Sequence, residues 1–238
     1  MPDINTLLKE LTLEEKISLL TGFNSWYSNK IPRLKIPSMK MSDGPNGVRG
    51  DSTSGKSSAC FPCPISMGST WNKKLIKKIG TALGEEALDK DVDVLLGPTI
   101  NLHRHPLGGR HFENFSEDPF LTAEIAVAYV KGVQSKRVSA CLKHFVANDT
   151  EFERHTVSSN LDERTLREVY LLPFEMGIKK AKAKSVMSAY NKLNNIYCSS
   201  NEDLLVKVLK KEWGFDGYVV SDWGCLLYTS PSPRDRSL

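Results

Sequence analysis

Ser139-Ala-Cys-Leu-Lys-His-Phe145 and Tyr218-Val-Val-Ser-Asp-Trp223 share one layout, a short apolar run closed by charged or hydrogen-bonding side chains. Runs of this kind are the buried parallel type of strand, apolar on both faces. Similar runs lie at Met39–Ser42, Val92–Leu96 and Ser185–Ala189, with a weaker strand candidate at Ile65–Gly68. Helical patterns separate them. Thr12 and Glu15 have capping-box spacing and open a short helix to about Leu20. Asn72 caps a helix whose apolar positions Leu75, Ile76, Ile79, Leu83 and Ala87 recur every three or four residues, and Leu121–Val133 repeats that pattern. A third helix runs from Asp162 through Leu166, Val169, Tyr170, Phe174 and Ile178, with a kink at Pro173. A fourth starts at Asn201 and stops at Gly214.

Strand, helix and strand in repeated succession predict a parallel α/β sheet. The placement of the polar residues then selects a barrel over an open sheet. Asp43 follows the first run, Lys143 and His144 close the Val138–Leu142 run, Met187 and Tyr190 the next, and Asp222 the last. Polar groups at the C-terminal ends of several strands are how a (β/α)8 barrel builds one site. No glycine-rich strand–helix turn of the nucleotide-binding kind competes, because Gly108-Gly109 precedes no helix start. The expectation is an incomplete (β/α)8, TIM-like barrel over residues 1–224, lacking its last strand or strands: five or six runs fall short of the eight strands and ~250 residues of a closed barrel. Such a cut leaves an unpaired edge, so this polypeptide alone is expected to fold poorly, and a sharp melting transition of residues 1–224 contradicts that.

After Gly224 the sequence changes character. Cys225-Leu-Leu-Tyr-Thr-Ser-Pro-Ser-Pro-Arg-Asp-Arg-Ser-Leu238 has two prolines and no periodicity. Its codons can spell a transposase-type sequencing adapter read in frame. The expectation is that the natural sequence stops at about Gly224 and that 225–238 is a non-native tail; continuous genomic coding through Leu238 refutes it.

The 238 residues are 40% apolar and 25% charged, enough for a substantial core. The 32 basic and 28 acidic groups are interspersed, which makes no case for nucleic acid or a membrane surface. No apolar run approaches the ~18 residues of a membrane helix. The start, Met1 to Glu15, lacks the layout of a signal peptide, and five cysteines form no even framework, so a cytoplasmic location is expected. Cys60-x-x-Cys63 has no second pair to complete a zinc site, and His103 and His105 have no acid at ligand spacing; neither a metal nor a cofactor is expected.

Asp222 carries the chemistry. A carboxylate directly after a β-branched run is held by the sheet and half shielded, as a nucleophile needs. Trp223 beside it offers an apolar plane suited to the C–H face of a sugar. Lys143 and His144 cannot both enter a core without partners, and at a strand end they can grip hydroxyl oxygens. Asp43, fixed by the Gly44-Pro45 turn, can accept from vicinal hydroxyls; Arg49 reads as its ion-pair partner. The long polar stretch His103–Pro119, with Arg110, reads as a binding loop, and Ser116–Pro119 as the cap of the following helix. Taken singly, each residue also has a plain structural reading: a turn, a surface charge or a satisfied core group.

Together the stretches resemble glycoside hydrolase family 3, specifically the N-terminal barrel domain of its β-glucosidase-type members. The matching motifs are Ser42-Asp-Gly-Pro45 with Gly47-Val-Arg49, Phe61-Pro62 before Ser69-Thr-Trp71, Gly97-Pro98, Gly109-Arg110 through Pro119, Lys143-His-Phe145 with Asn148, Met187-Ser-Ala-Tyr-Asn191, and Gly214-Phe through Trp223, in the family's order. The resemblance implies Asp222 as nucleophile, with Asp43, Arg110, Lys143, His144, Arg154 and Tyr190 binding the non-reducing-end sugar and Met187 walling it. It implies a β-glucoside or related oligosaccharide as substrate, with β-D-glucosyl favoured over xylosyl or galactosyl, and leaves a homo-oligomer of a longer chain open. One branch of the family uses a histidine within a Pro-Gly-His-Gly loop as its acid. Here Val146–His155 lacks that pattern, which points to the glucosidase-like branch and leaves His155 structural. That branch takes its acid/base glutamate from a second, downstream domain; Glu113, Glu117, Glu151 and Glu153 are present here, but no motif sets one opposite Asp222, so these residues alone are expected to be catalytically inactive even when folded. Two rival readings remain: a Schiff-base lyase using Lys143, and a sugar-binding protein without catalysis.

Overall fold

The computed structural model describes residues 3–49 and 56–226. Its strands are β1 (Met41–Asp43), β2 (Val94–Leu96), β3 (Ser139–Phe145), β4 (Ser158–Ser159), β5 (Ser185–Ser188), β6 (Lys192–Leu193), β7 (Ile196–Tyr197) and β8 (Tyr218–Ser221). Its helices are α1 (Ile4–Glu10), α2 (Leu13–Leu20), α3 (Pro64–Ser69), α4 (Lys73–Asp89), α5 (Pro119–Gln134), α6 (Glu163–Thr165), α7 (Leu172–Ala181) and α8 (Asp203–Glu212). The main sheet is parallel throughout, in the order β1-β2-β3-β5-β8, while β4, β6 and β7 form a small separate sheet. Among the described residues these are five strands of an α/β barrel, short of the eight that close one. Of the tail, Cys225 and Leu226 are described; residues 227–238 lie outside the described residues.

Strand alternation divides the interior in two. Leu95, Ala140, Leu142 and Val186 face the helices and join the large core with Ile76, Leu83, Ile125, Tyr129 and Phe174. Val94, Leu96, Cys141 and Met187 face the other way, toward Trp26, Met41, Tyr218, Val220 and Trp223. The second cluster is the barrel interior, and the candidate site sits on it. Each parallel crossover is filled by helices that cover the outer face: α3 and α4 before β2, α5 before β3, α6 and α7 before β5, and α8 before β8. α5 is the central cover, buried on nearly every side between α4 and α7.

The helix signals act as read. Thr12 and Glu15 complete a capping box, and Asn72, Asp118, Asp162 and Asn201 each accept a backbone N–H three residues on. Two details differ. Ile65–Gly68 is not a strand but part of α3, because Pro64 presets the first helical turn and the Cys63 carbonyl accepts from the Ser66 and Met67 amides. The helix from Asp162 does not simply kink at Pro173. It widens first into a π turn, Leu166–Tyr170, where the Leu171 amide reaches back five residues to the Leu166 carbonyl at 2.8 Å. Pro173 has no N–H to continue the earlier ladder, and α7 starts afresh around it.

α4 and α5 touch backbone to backbone at Gly80 and Gly132. A methyl group on Gly132 would stand 2.4 Å from the Lys77 carbonyl oxygen. Gly132→Ala is therefore expected to force the helices apart and cost about 1–3 kcal/mol. Urea unfolding measures this, and an unchanged midpoint contradicts it.

Candidate active site

The C-terminal ends of the strands surround a cavity of about 230 Å³, lined by Trp26, Asp43, Leu96, Arg110, Lys143, His144, Arg154, Met187, Tyr190, Asp222 and Trp223. Every residue singled out from the sequence for substrate contact is on that wall. Trp26 and Leu96 join them from outside the sequence argument.

Asp43 ends β1 and is fixed by the turn that follows. Gly44 sits at φ +127°, where a side chain would meet the Gly47 carbonyl oxygen at 1.5 Å. From behind, the buried Tyr129 hydroxyl of α5 donates to the Pro45 carbonyl at 2.9 Å. The Asp43 carboxylate accepts from Lys143 Nζ at 2.9 Å, and Arg49 stands 3.5 Å from its other oxygen. Burial pushes the Asp43 carboxyl up, but the charge and hydrogen bond of Lys143, with help from Arg49 and the Gly44 amide, outweigh it and hold the group below its ordinary value. Asp43 therefore stays ionised.

Lys143 and His144 are chain neighbours that both reach the cavity, where simple alternation would send them to opposite faces. The peptide joining them is cis, and the β3–β5 register breaks between Leu142 and Phe145, at this pair. Asn101, just after β2, holds His144 from three directions: its amide donates to the His144 carbonyl at 2.9 Å, its oxygen accepts the His144 backbone N–H at 2.9 Å, and that oxygen lies 3.4 Å from Nδ1. Burial, then the positive charges of Lys143, Arg110 and Arg154, drive the His144 pKa well below its ordinary value, so the imidazole is neutral.

Asp222 follows β8 with its carboxylate mostly shielded. It accepts the Trp223 backbone N–H at 2.8 Å, and His144 Nε2 stands 3.6 Å from its other oxygen. Burial raises its pKa against the opposing pull of the Trp223 amide, Lys143, Arg110 and the Tyr190 hydroxyl. The Tyr190 hydroxyl donates its proton to the Trp223 carbonyl at 2.5 Å, and the Arg154 guanidinium lies 4.8 Å over its ring. His155 packs edge-on against that ring, centroids 4.5 Å apart. Trp223 stacks at a tilt on Trp26, ring centres 5.6 Å apart, and its indole N–H donates to the Ser25 carbonyl.

Of the four glutamates, Glu117 and Glu153 are exposed, and none of the four lines the cavity. Glu113 and Glu151 pair with arginines behind it. Asp118 caps α5 as expected. His103 binds the His111 and Asn114 carbonyls through Nε2, and among the described residues no three potential metal ligands cluster. Cys60 and Cys63 are free thiols.

The family model for the glycosyl hydrolase family 3 N-terminal domain matches residues 10–231. The chain belongs to glycosyl hydrolase family 3. It is 56% identical to a β-glucosidase of Rhizobium radiobacter over 92% of its own length and 27% of that protein's. It is 49% identical to thermostable β-glucosidase B of Acetivibrio thermocellus, over 94% of its length and 31% of the relative's. Its fold superposes on β-glucosidase from Kluyveromyces marxianus, solved in complex with glucose, with a TM-score of 0.92 at 45% identity, covering 94% of this chain and 27% of that one. For β-glucosidase 3B from Thermotoga neapolitana the TM-score is 0.88 at 46% identity, covering 92% and 33%. The chain thus spans about a quarter to a third of the relatives it matches.

Trp26, Leu96 and Asn101 carry faint sequence signals at best. Asn101, following an apolar strand, is the kind of polar strand-end residue that marks the others. Trp26 arrives through the chain that pairs its carbonyl with the Met41 amide beside β1, a contact no local pattern announces. The Asp43–Lys143 pair gives a direct test. Asp43→Asn leaves an ammonium whose side chain is 4% exposed without its counter-charge. Asp43 itself is partly open to solvent, so the expected loss is about 1–3 kcal/mol rather than that of a fully buried pair. A urea midpoint equal to that of the unaltered chain contradicts it.

Proposed function

We propose that this chain is the nucleophile-bearing barrel of a glycosidase that releases terminal, non-reducing β-D-glucosyl residues with retention of configuration. The observation that carries the reading is the setting of Asp222: a shielded carboxylate at a strand end, facing a cavity whose wall also holds the ionised Asp43, two arginines, a lysine, a neutral histidine, a tyrosine and two tryptophans. An Asp222 oxygen attacks the anomeric carbon while the bond to the leaving oxygen breaks, giving a glycosyl ester. Water then cleaves the ester, returning the carboxylate and a sugar of the original configuration. The ionised Asp43 accepts from vicinal hydroxyls, Lys143, Arg110 and Arg154 donate to hydroxyl oxygens, and the aromatic pair covers the C–H face. Asn101 orients His144 so that Nε2 faces the same space.

Retaining chemistry needs a second carboxyl that holds its proton. Asp43 does not qualify, being kept ionised by Lys143. We propose that the acid/base group comes from a part of the whole protein beyond these residues, in keeping with relatives three to four times as long. The Lys143–Asp43 ion pair favours a binding role for Lys143 over the free amine that Schiff-base chemistry requires.

A leaving group that departs without a proton isolates the first step. The whole protein, this chain extended to the length of its relatives, incubated with 2,4-dinitrophenyl 2-deoxy-2-fluoro-β-D-glucoside is expected to release one equivalent of dinitrophenolate and retain the fluoroglucosyl group on Asp222, seen by peptide mapping. Asp222→Asn is expected to abolish the adduct; labelling at another residue overturns the assignment. Only ionised Asp222 attacks, so the labelling rate falls as pH drops through its pKa. Because burial raises that pKa, the midpoint is expected above the ordinary value of 3.8, and a midpoint at or below it contradicts the reading.

A further inference from the structure

Arg110 and Arg154 reach the cavity from different loops, one after β2 and one after β3, and a single carboxylate stands between them. Glu151 Oε1 is 3.7 Å from Arg110 Nη1, and its Oε2 accepts from Arg154 Nη1 at 2.9 Å. Glu151 is half-buried and not on the cavity wall. Its backbone ties the same two loops, the Glu151 N–H donating to the Gly108 carbonyl at 3.1 Å. Gly109, at φ +89°, lets the chain lie flat against the glutamate: a methyl group there would be 3.0 Å from Glu151 Cγ. On the far side Arg110 is held by the buried Glu113, which also accepts from the Thr99 hydroxyl at 3.3 Å. Arg154 has no such second acid among its ion pairs in the described residues, only the Tyr190 ring beneath it.

We infer that Glu151 is a positioning residue, the shared counter-ion that sets Arg110 and Arg154 at a fixed separation so that both address one sugar at once. Two guanidinium groups facing a small cavity repel each other, and both are long side chains with much rotamer freedom to lose. A carboxylate spanning the pair offsets the repulsion and fixes both heads before the ligand arrives, so the ordering cost is met by the fold rather than by binding. Among the described residues the ion pairs of Glu151 are with the two arginines, and it does not line the cavity into which Asp222 faces. Glu151 therefore governs how tightly the ligand is held more than how fast the bond forms. The inference rests on the glycosidase reading above.

Saturation kinetics of Asp222 labelling by 2,4-dinitrophenyl 2-deoxy-2-fluoro-β-D-glucoside, followed by intact mass, separate the possibilities in the whole protein. For Glu151→Gln the half-saturating concentration is expected to rise roughly tenfold to a hundredfold, the effect of losing a charged hydrogen-bond partner, with the maximal labelling rate changed less than about threefold. Glu151→Asp keeps the charge but reaches only one arginine, and its half-saturation is expected to fall between the two. The final labelled fraction reports correctly folded protein. A variant that lowers that fraction while half-saturation stays within twofold of the unaltered chain overturns the positioning role, as does an Asp variant equal to the unaltered chain when Gln abolishes labelling. Absence of any Asp222 adduct in the whole protein, shown to be folded by circular dichroism, instead overturns the glycosidase reading itself.

Discussion

A lysine ammonium buried beside a strand end must find a counter-charge, and Lys143 finds Asp43, 100 positions away in the chain. The pair joins the ends of β1 and β3 across β2, so it forms only when the parallel sheet is in register. It also divides the labour of the cavity. By keeping Asp43 ionised it makes that group an acceptor and bars it from proton donation, while the positive charge helps suppress protonation of His144. Asp222 is left as the cavity carboxylate whose pKa burial raises. One electrostatic arrangement thus holds the Asp43 pKa down, keeps His144 neutral and leaves the Asp222 pKa raised.

The scaffold behind the cavity fixes this arrangement through contacts that are not themselves chemical. Tyr129 crosses the core to hold the Asp43 turn, Asn101 pins the backbone and ring side of His144, and Tyr190 braces the Trp223 carbonyl. Each is a hydrogen bond from a well-packed residue to a site loop, which is how a rigid fold gives precision to side chains carried on irregular backbone. The arginine side of the cavity follows the same logic with charge in place of neutral hydrogen bonds, Glu113 and Glu151 lying behind Arg110 and Arg154.

Much of the site is legible in the order of residues because a barrel gathers strand ends by necessity. Once Ser139–Phe145 and Tyr218–Trp223 are read as buried strands ending in polar groups, Lys143, His144 and Asp222 have to meet. The helix caps at Thr12, Asn72, Asp162 and Asn201 are equally local, since each depends on residues within three positions of itself. Ile65–Gly68 misleads for the opposite reason: a four-residue apolar run has no period of its own, and Pro64 decides it.

The sequence by itself determined the alternation of the five main strands with their covering helices, the barrel class and the identity of the polar groups at the strand ends, because burial period and capping are short-range properties of the chain. The tertiary structure alone decided the partners and protonation states: that Lys143 and His144 share one face, that Asp43 is held charged, that Trp26 meets Trp223, and that Glu151 faces two arginines rather than Asp222. Those depend on distances between residues far apart in the chain and on how much water the fold leaves beside each charge. Neither quantity exists until the chain has folded.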